Sequence, residues 1–148
     1  MFRGANKVTL DAKGRMAMPA RYRDTLVERS GGRLVATVDR ADKCLLIYPL
    51  PDWEEIERKL MRLPSLNPQT RRLQRLMVGH ATDLELDSHG RVLVPPKLRE
   101  YAGLSRQAVL IGQGGRFELW DEQQWNACLD ETLDETGGLP VELESLSL

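Results

Sequence analysis

The sequence predicts an α+β fold, mainly β, assembled from two copies of one small domain. Three observations carry that prediction. The chain resembles itself at an offset of 76 residues, a period that marks an internal repeat. In each copy, apolar residues alternate with polar ones on both sides of a glycine-containing turn, the pattern of half-buried strands. Proline and glycine bracket short helical stretches between the strand pairs. The matches are Met1-Phe2, Ala5, Val8, Leu10, Asp11, Gly14, Arg15, Pro19 and Arg23 against Met77-Val78, Ala81, Leu84, Leu86, Asp87, Gly90, Arg91, Pro95 and Arg99. Further along the offset is 72, where Leu45, Ile47, Tyr48 and Trp53 fall on Phe117, Leu119, Trp120 and Trp125. The first copy therefore holds about four extra residues, expected as a surface-turn insertion near Ser30-Gly31-Gly32.

The elements follow in order. Val8 and Leu10 alternate with Lys7, Thr9 and Asp11, and after the turn Met16 and Met18 alternate with Arg15 and Ala17, giving two strands. Pro19 suits the start of a helix running through Tyr22 and Leu26 toward Gly31, and Pro95 starts a shorter one that stops near Gly103. Residues 33–38 and 43–48 form the next hairpin, echoed by 108–111 and 116–120. Asp52 begins a helix with Trp53, Ile56 and Leu60 on one face, and Gln124 begins its counterpart. Between the copies, Leu63-Pro64-Ser65-Leu66-Asn67-Pro68 reads as a turn. The helix after it places Leu73, Leu76 and Met77 on one face, with Arg71, Arg72 and Arg75 on the rest of its surface. These bounds divide the chain into a first repeat (1–53), linking helices (54–76), a second repeat (77–125) and an acidic C-terminal segment (126–148). That last segment is expected to be mobile or to dock only in an assembly.

Composition sets limits on function. With 41% hydrophobic and 29% charged residues the chain is ordinary for a globular protein. Cys44 and Cys128 lie far apart without metal-ligand spacing, so two reduced thiols and no metal or other cofactor are expected. The N-terminus lacks the apolar run of a signal peptide, and no apolar stretch approaches a membrane span, so a cytoplasmic protein is expected. Net charge is −1, but its distribution is uneven. Residues 1–76 hold 16 Lys and Arg against 9 Asp and Glu, whereas residues 77–148 hold 5 against 13. That asymmetry suits a local basic surface for phosphates with an acidic remainder that limits indiscriminate binding. It also suits two halves attracting each other across an interface.

The candidate site is the loop Asp11-Ala12-Lys13-Gly14-Arg15, repeated as Asp87-Ser88-His89-Gly90-Arg91. A three-residue hairpin loop ends in a left-handed residue, the slot Gly14 and Gly90 fill. Asp and Arg then flank the loop on one face, where the carboxylate can cap turn amides and hold the guanidinium. An arginine fixed at a protruding tip presents a planar donor fork to phosphate or to guanine O6 and N7. Alternation places Lys7, Thr9, Asp11 and Arg15 on one face, with Lys13 at the tip and Arg3 upstream. In the second copy it places Asp83, Glu85, Asp87 and Arg91 together, with His89 at the tip. Unequal loops are therefore expected: Arg15, Asp11, Lys13, Gly14, Arg3 and Lys7 meeting DNA, and Asp87, Gly90 and Arg91 serving structure or a weaker DNA role.

Several motifs together resemble the bacterial MraZ family: the opening Met-Phe-Arg-Gly, the Leu-Asp-x-Lys-Gly-Arg stretch, Leu45 through Trp53, Gly79-His80-Ala81 and Phe117-Glu118-Leu119-Trp120. They recur in order around both Asp-x-x-x-Arg loops and cover nearly the whole chain, weakening at the acidic tail. The resemblance implies AbrB-like swapped-hairpin repeats interleaved as a pseudo-dimeric β-barrel with flanking helices. It implies a ring-shaped homo-oligomer and a nucleoid-associated regulator, a repressor by family expectation, of the division and cell-wall gene cluster that includes its own gene. Its partner would be double-stranded DNA, read at direct repeats in its own promoter region. Asp11 and Arg15 match the family loop, as do Asp87 and Arg91, whereas Ser88 and His89 depart from it.

Two other classes compete. An enzyme is disfavoured because no phosphate loop, nucleophile elbow or zinc-spaced His/Cys set occurs, and the only histidines are His80, expected to be packed, and His89. A ring-forming assembly protein or an antitoxin-like partner-binding protein would need no specific DNA readout. Salt-sensitive DNA binding separates them from a regulator. No membrane and no small-molecule substrate are expected.

Overall fold

The structure, a computed structural model, describes residues 1–134 and 141–147. Strand β1 (Phe2–Thr9) runs into the first loop and strand β2 (Arg15–Ala17), followed by helix α1 (Ala20–Ser30) and the hairpin β3 (Arg33–Val38) and β4 (Leu45–Pro49). Helices α2 (Leu50–Arg62) and α3 (Pro68–Met77) lead to the second copy. There β5 (Thr82–Glu85), β6 (Arg91–Leu93), α4 (Pro96–Tyr101), β7 (Gln107–Gly114), β8 (Arg116–Asp121) and α5 (Glu122–Asp134) repeat the order. This is the expected α+β class, with mostly antiparallel strands and five helices.

The partners of those strands are where the two copies merge. β3 pairs with β4 and β7 with β8 as local hairpins. β1, however, pairs with β7 of the other copy, from Phe2 opposite Gly114 to Thr9 opposite Gln107. β5 returns the exchange by pairing with β3, and β4 pairs with β8 across the middle. The resulting sheet has the order β1-β7-β8-β4-β3-β5. A separate two-stranded ribbon joins β2 to β6, with Met16 opposite Val92. Among the described residues no strand pairing joins the edges β1 and β5, so the sheet pairings do not by themselves close a barrel.

Burial explains why the exchange holds. The inner sheet face, α1, α4 and the ribbon share one cluster, in which Phe2, Met16, Met18, Leu26, Leu34 and Leu45 of the first copy meet Val92, Val94, Leu98, Leu110 and Phe117 of the second. Phe2 and Phe117 stack with centroids 4.3 Å apart, and the Tyr22 ring stands on Phe117 at 5.0 Å. Each such side chain taken from water contributes roughly 1.5–3 kcal/mol, and neither copy supplies the full set. The outer face alternates with the inner one. Val35, Leu46 and Tyr48 pack there beneath Trp53 and Leu60 of α2 and Leu73 and Met77 of α3.

Some boundaries differ from expectation. The extra residues of the first copy lengthen a helix rather than a turn: α1 has 11 residues and α4 has 6. Added helical residues satisfy their own backbone groups, which a longer turn cannot do. α1 then ends as expected at left-handed Gly31, whose N–H bonds Val27 O at 2.8 Å. α2 starts at Leu50, with Pro51 in its first turn, and so runs across the 53/54 bound. α5 starts at Glu122 and runs to Asp134, so the acidic segment begins inside a helix. Residues 135–140 and 148 of that segment lie outside the described residues; Val141–Leu146 form a 3-10 helix.

Candidate nucleic-acid interface

Each loop closes by the same set of bonds. Asp11 N–H donates to Arg15 O at 3.0 Å and Gly14 N–H to Asp11 O at 2.9 Å, which fixes the turn. One Asp11 carboxylate oxygen accepts from the amides of Lys13 (3.0 Å) and Arg15 (2.9 Å), and the other accepts Arg15 Nε at 2.7 Å. In the second loop Asp87 accepts from the amides of His89 (2.8 Å) and Arg91 (2.9 Å) and from Arg91 Nε at 3.0 Å. The Arg and Asp side chains are 35% and 38% exposed in both loops. The expected clamp is thus present twice. Because only Nε is engaged, the terminal amino groups of both guanidiniums have no hydrogen-bond partner among the described residues, and the open end of each fork faces outward. An exposed ion pair of this kind adds little stability; its effect is to hold the fork in one orientation.

The electrostatics agree with the geometry. The Arg15 amide first, then its guanidinium and the Lys13 amide, hold the Asp11 carboxyl down at about 2, against an ordinary 3.8. The Asp87 carboxyl is lowered in the same way, chiefly by the Arg91 amide. Both carboxylates stay charged wherever the protein would meet DNA.

The loop glycines answer to a second constraint. Gly14 has φ +89 and Gly90 has φ +73, a region that L side chains avoid. A Cβ on Gly14 would lie 2.6 Å from Arg99 Nε and 2.9 Å from Val94 O; on Gly90 it would lie 2.5 Å from Arg23 Nε. Arg99 in turn donates to Val94 O at 3.0 Å, and Arg23 to Met18 O at 2.7 Å. Each loop therefore rests on an arginine from the other copy's helix. Sequence reading left Arg23 and Arg99 out of the site, although their repetition twelve and nine residues beyond Gly14/Gly90 and Asp87-type anchors was not the signal; the signal was that a cation recurs at matched places in both copies, Arg23 against Arg99.

Exchange of the hairpins brings the two loops onto one surface. In the ribbon, Arg15 lies opposite Leu93 and Arg91 opposite Ala17, and all four side chains point away from the core that takes Met16, Met18, Val92 and Val94. Arg15 and Arg91 are thus diagonal neighbours, roughly 7–8 Å apart at their backbones. Strand-by-strand alternation assigned them separate faces; pairing between the copies puts them side by side. Lys13 belongs to the first loop, while Lys7 and Arg3 are exposed further back along β1. At a rise of about 3.3 Å per residue, Lys7 is roughly 13 Å and Arg3 roughly 26 Å from Asp11, so the structure does not bring Arg3 to the loop.

The surroundings differ. Leu10 N–H donates to Arg106 O at 2.8 Å, and its counterpart Leu86 N–H donates to Gly32 O at 2.9 Å. The first loop thereby has an exposed arginine beside it, also missed from sequence, where the second has glycine. Asp83 and Glu85 are exposed on β5, as alternation predicts, with Arg33 opposite Glu85 in the register.

Elsewhere, Asp39, Cys44 and Glu118 bring ligand atoms within 4.8 Å of one another. Burial, then the Glu118 and Asp39 carboxylates, push the Cys44 thiol well up, which favours a protonated thiol bonded to Asp39 (3.7 Å) over a metal thiolate. His80, expected to be packed, is exposed, with Nδ1 2.7 Å from Leu76 O. No helix among the described residues is long and apolar enough to cross a membrane.

The sequence pattern of a family described as "MraZ protein, putative antitoxin-like" matches residues 1–76 and again residues 77–137. The chain is 59% identical over 151 residues to a protein of Pseudomonas aeruginosa (strain LESB58) named Transcriptional regulator MraZ, with 100% of both chains covered. It is 60% identical over 151 residues to the protein of that name from Thioalkalivibrio sulfidiphilus and 57% over 152 residues to that from Halorhodospira halophila, again with both chains covered in full. With the repeat, its two loops and this likeness along its whole length, the chain belongs to the MraZ family.

Proposed function

We propose that this protein is a sequence-specific DNA-binding transcriptional regulator, a repressor of the division and cell-wall gene cluster containing its own gene, acting in the cytoplasm at the nucleoid. The observation that carries the reading is the pair of clamped, outward-facing arginine forks on one exposed ribbon. Two oriented forks suit guanine edges or phosphates, and orientation before binding lowers the entropic cost of contact. The printed name of the relatives supports the regulatory role. Copies arranged head to tail in a ring would present the same loop in the same direction, which suits direct repeats where a two-fold dimer suits a palindrome. Arg15 leads, supported by Asp11, Gly14, Lys13 and Lys7, with Arg91, Asp87 and Gly90 in a weaker or structural role. Arg3 is placed to reach a different phosphate from Arg15.

The test is binding of the wild type, Arg15→Ala and Arg91→Ala to the DNA upstream of the gene at two salt concentrations. Arg15→Ala is expected to weaken binding by about 10- to 100-fold, the worth of one good bidentate base contact, and Arg91→Ala by less. Wild-type affinity should fall steeply with salt. Binding by Arg15→Ala equal to wild type refutes the reading. A flat salt response, or no preference for this DNA, favours an assembly or antitoxin-like role instead.

A further inference from the structure

Residues 58–75, spanning the end of α2, the connecting turn and most of α3, contain six cations and no carboxylate: Arg58, Lys59, Arg62, Arg71, Arg72 and Arg75. All six are exposed. Among the described residues only Lys59 has an ion-pair partner, Glu55 at 4.0 Å. The same surface exposes Met61, Leu63 and Leu66, the last at 94%. It is held firmly: Asn67 caps α3 by accepting from Gln69 N–H at 2.8 Å, and Gln74 Nε2 donates to Leu60 O at 2.9 Å.

This patch is separate from the arginine ribbon. Leu73, Met77 and Leu60 pack on the outer sheet face with Val35, Leu46 and Tyr48, whereas the ribbon packs on the inner face with Leu34, Ala36, Leu45 and Ile47. Alternate residues of the same two strands serve the two clusters, so ribbon and helical hairpin cover opposite faces. DNA lying along the ribbon would leave the hairpin uncovered.

The chain carries a segment of complementary chemistry. Residues 130–148 hold six carboxylates and no lysine or arginine. Within them the 3-10 helix Val141–Leu146 leaves Val141, Leu143 and Leu146 exposed, at 79%, 38% and 56%. Acidic and apolar at once, it matches a surface that is basic and apolar at once, and its apolar side chains are not spent on its own chain.

We propose that the acidic C-terminal segment of one copy docks on the basic α2–α3 hairpin of a second copy. The inference rests on the self-assembly part of the proposed function and supplies its surface. Charge complementarity sets the partner, and the apolar residues on both sides add contact. Because the two patches differ, each copy offers one to each neighbour, a heterologous contact that repeats head to tail and closes into a ring when the rotation permits.

Sedimentation of the full-length chain without DNA tests this. The wild type is expected to run as an assembly. Arg71→Glu with Arg75→Glu, and separately Glu142→Lys with Glu144→Lys, should each raise the dissociation constant by at least about tenfold, since like charges then face each other. The four substitutions together should restore assembly. A monomeric wild type overturns both the self-assembly reading and this surface. Assembly that neither charge reversal disturbs, or that the combined variant fails to recover, overturns the surface alone. Loss of DNA affinity in Arg71→Glu with Arg75→Glu at unchanged mass also overturns it, and assigns the hairpin to nucleic acid.

Discussion

The first and second loops have matching backbone bonds, matching clamps and equal exposure, yet different company. Around Asp11 and Arg15 stand Lys13 at the tip, Thr9 two residues back and Arg106 alongside; at the matching places around Asp87 and Arg91 stand His89, Glu85 and Gly32. Distance decides which of these differences count. Exposed charges are screened over about 8–10 Å at ordinary salt. Lys7 and Asp83, each about four residues or 13 Å away along the strand, contribute little to the field at the fork. Glu85, roughly 7 Å away by the same rise, and Arg106 matter more, and Arg33 opposite Glu85 softens the acidic side. The difference teaches that the hairpin geometry determines whether a fork is held, while its nearest neighbours determine what charge it meets.

The largest expected effect concerns the glycines. A methyl group on Gly14 meets the Val94 backbone as well as Arg99, whereas on Gly90 its nearest neighbours are atoms of the flexible Arg23 side chain. Gly14→Ala should therefore cost about 2–4 kcal/mol, from left-handed strain plus overpacking, and Gly90→Ala about 1–2 kcal/mol. Urea unfolding measures both. Equal losses would show that the Val94 backbone yields as easily as Arg23, and would erase this difference between the loops.

A middle-sized effect sharpens the electrostatic contrast. Arg106→Ala should weaken DNA binding by about 3- to 10-fold and lower the magnitude of the salt slope by about one, as loss of one phosphate contact does. Glu85→Gln should strengthen binding about two- to threefold at low salt and increase the cost of Arg91→Ala, since less of the cation is offset. If Glu85→Gln leaves the Arg91→Ala cost unchanged, the second loop lies away from DNA for steric rather than electrostatic reasons.

The smallest effect is on pH dependence. Asp11 is depressed in the folded protein from an ordinary 3.8 to about 2, so the clamp stabilises above the unfolded value and is lost as pH falls from about 4 through 2. Between pH 5 and 8 it contributes no pH dependence. A carboxyl NMR titration should find the Asp11 midpoint near 2, with Asp87 also lowered; a midpoint near 4 for either one would mean that its clamp is open in solution.

Much of this was legible in the chain. Asp11, Gly14 and Arg15 carry their own local geometry, because a turn's dihedral demand and the reach of a carboxylate to amides two and four residues on are satisfied within five residues. Alternation likewise placed Val8, Leu10, Met16 and Met18 inward. The helix bounds were less legible at Leu50 and Glu122, since packing against the sheet, rather than any cap residue, sets where those helices begin. Arg99 beneath Gly14, Arg23 beneath Gly90 and Arg106 beside the first loop come from the opposite copy, and no local pattern names a partner 76 residues or more away.

By itself, the sequence determined that there are two loops, each presenting a held arginine, and that the chain's cations and carboxylates gather in different stretches. Those properties depend on residues within one turn or one strand. Only the tertiary structure decided that Arg15 and Arg91 share one ribbon. Period-two patterning states which face of a strand is buried but not which strand lies beside it, and here β1, β2 and β5 all take their partners from the other copy because the core they enclose needs side chains from both.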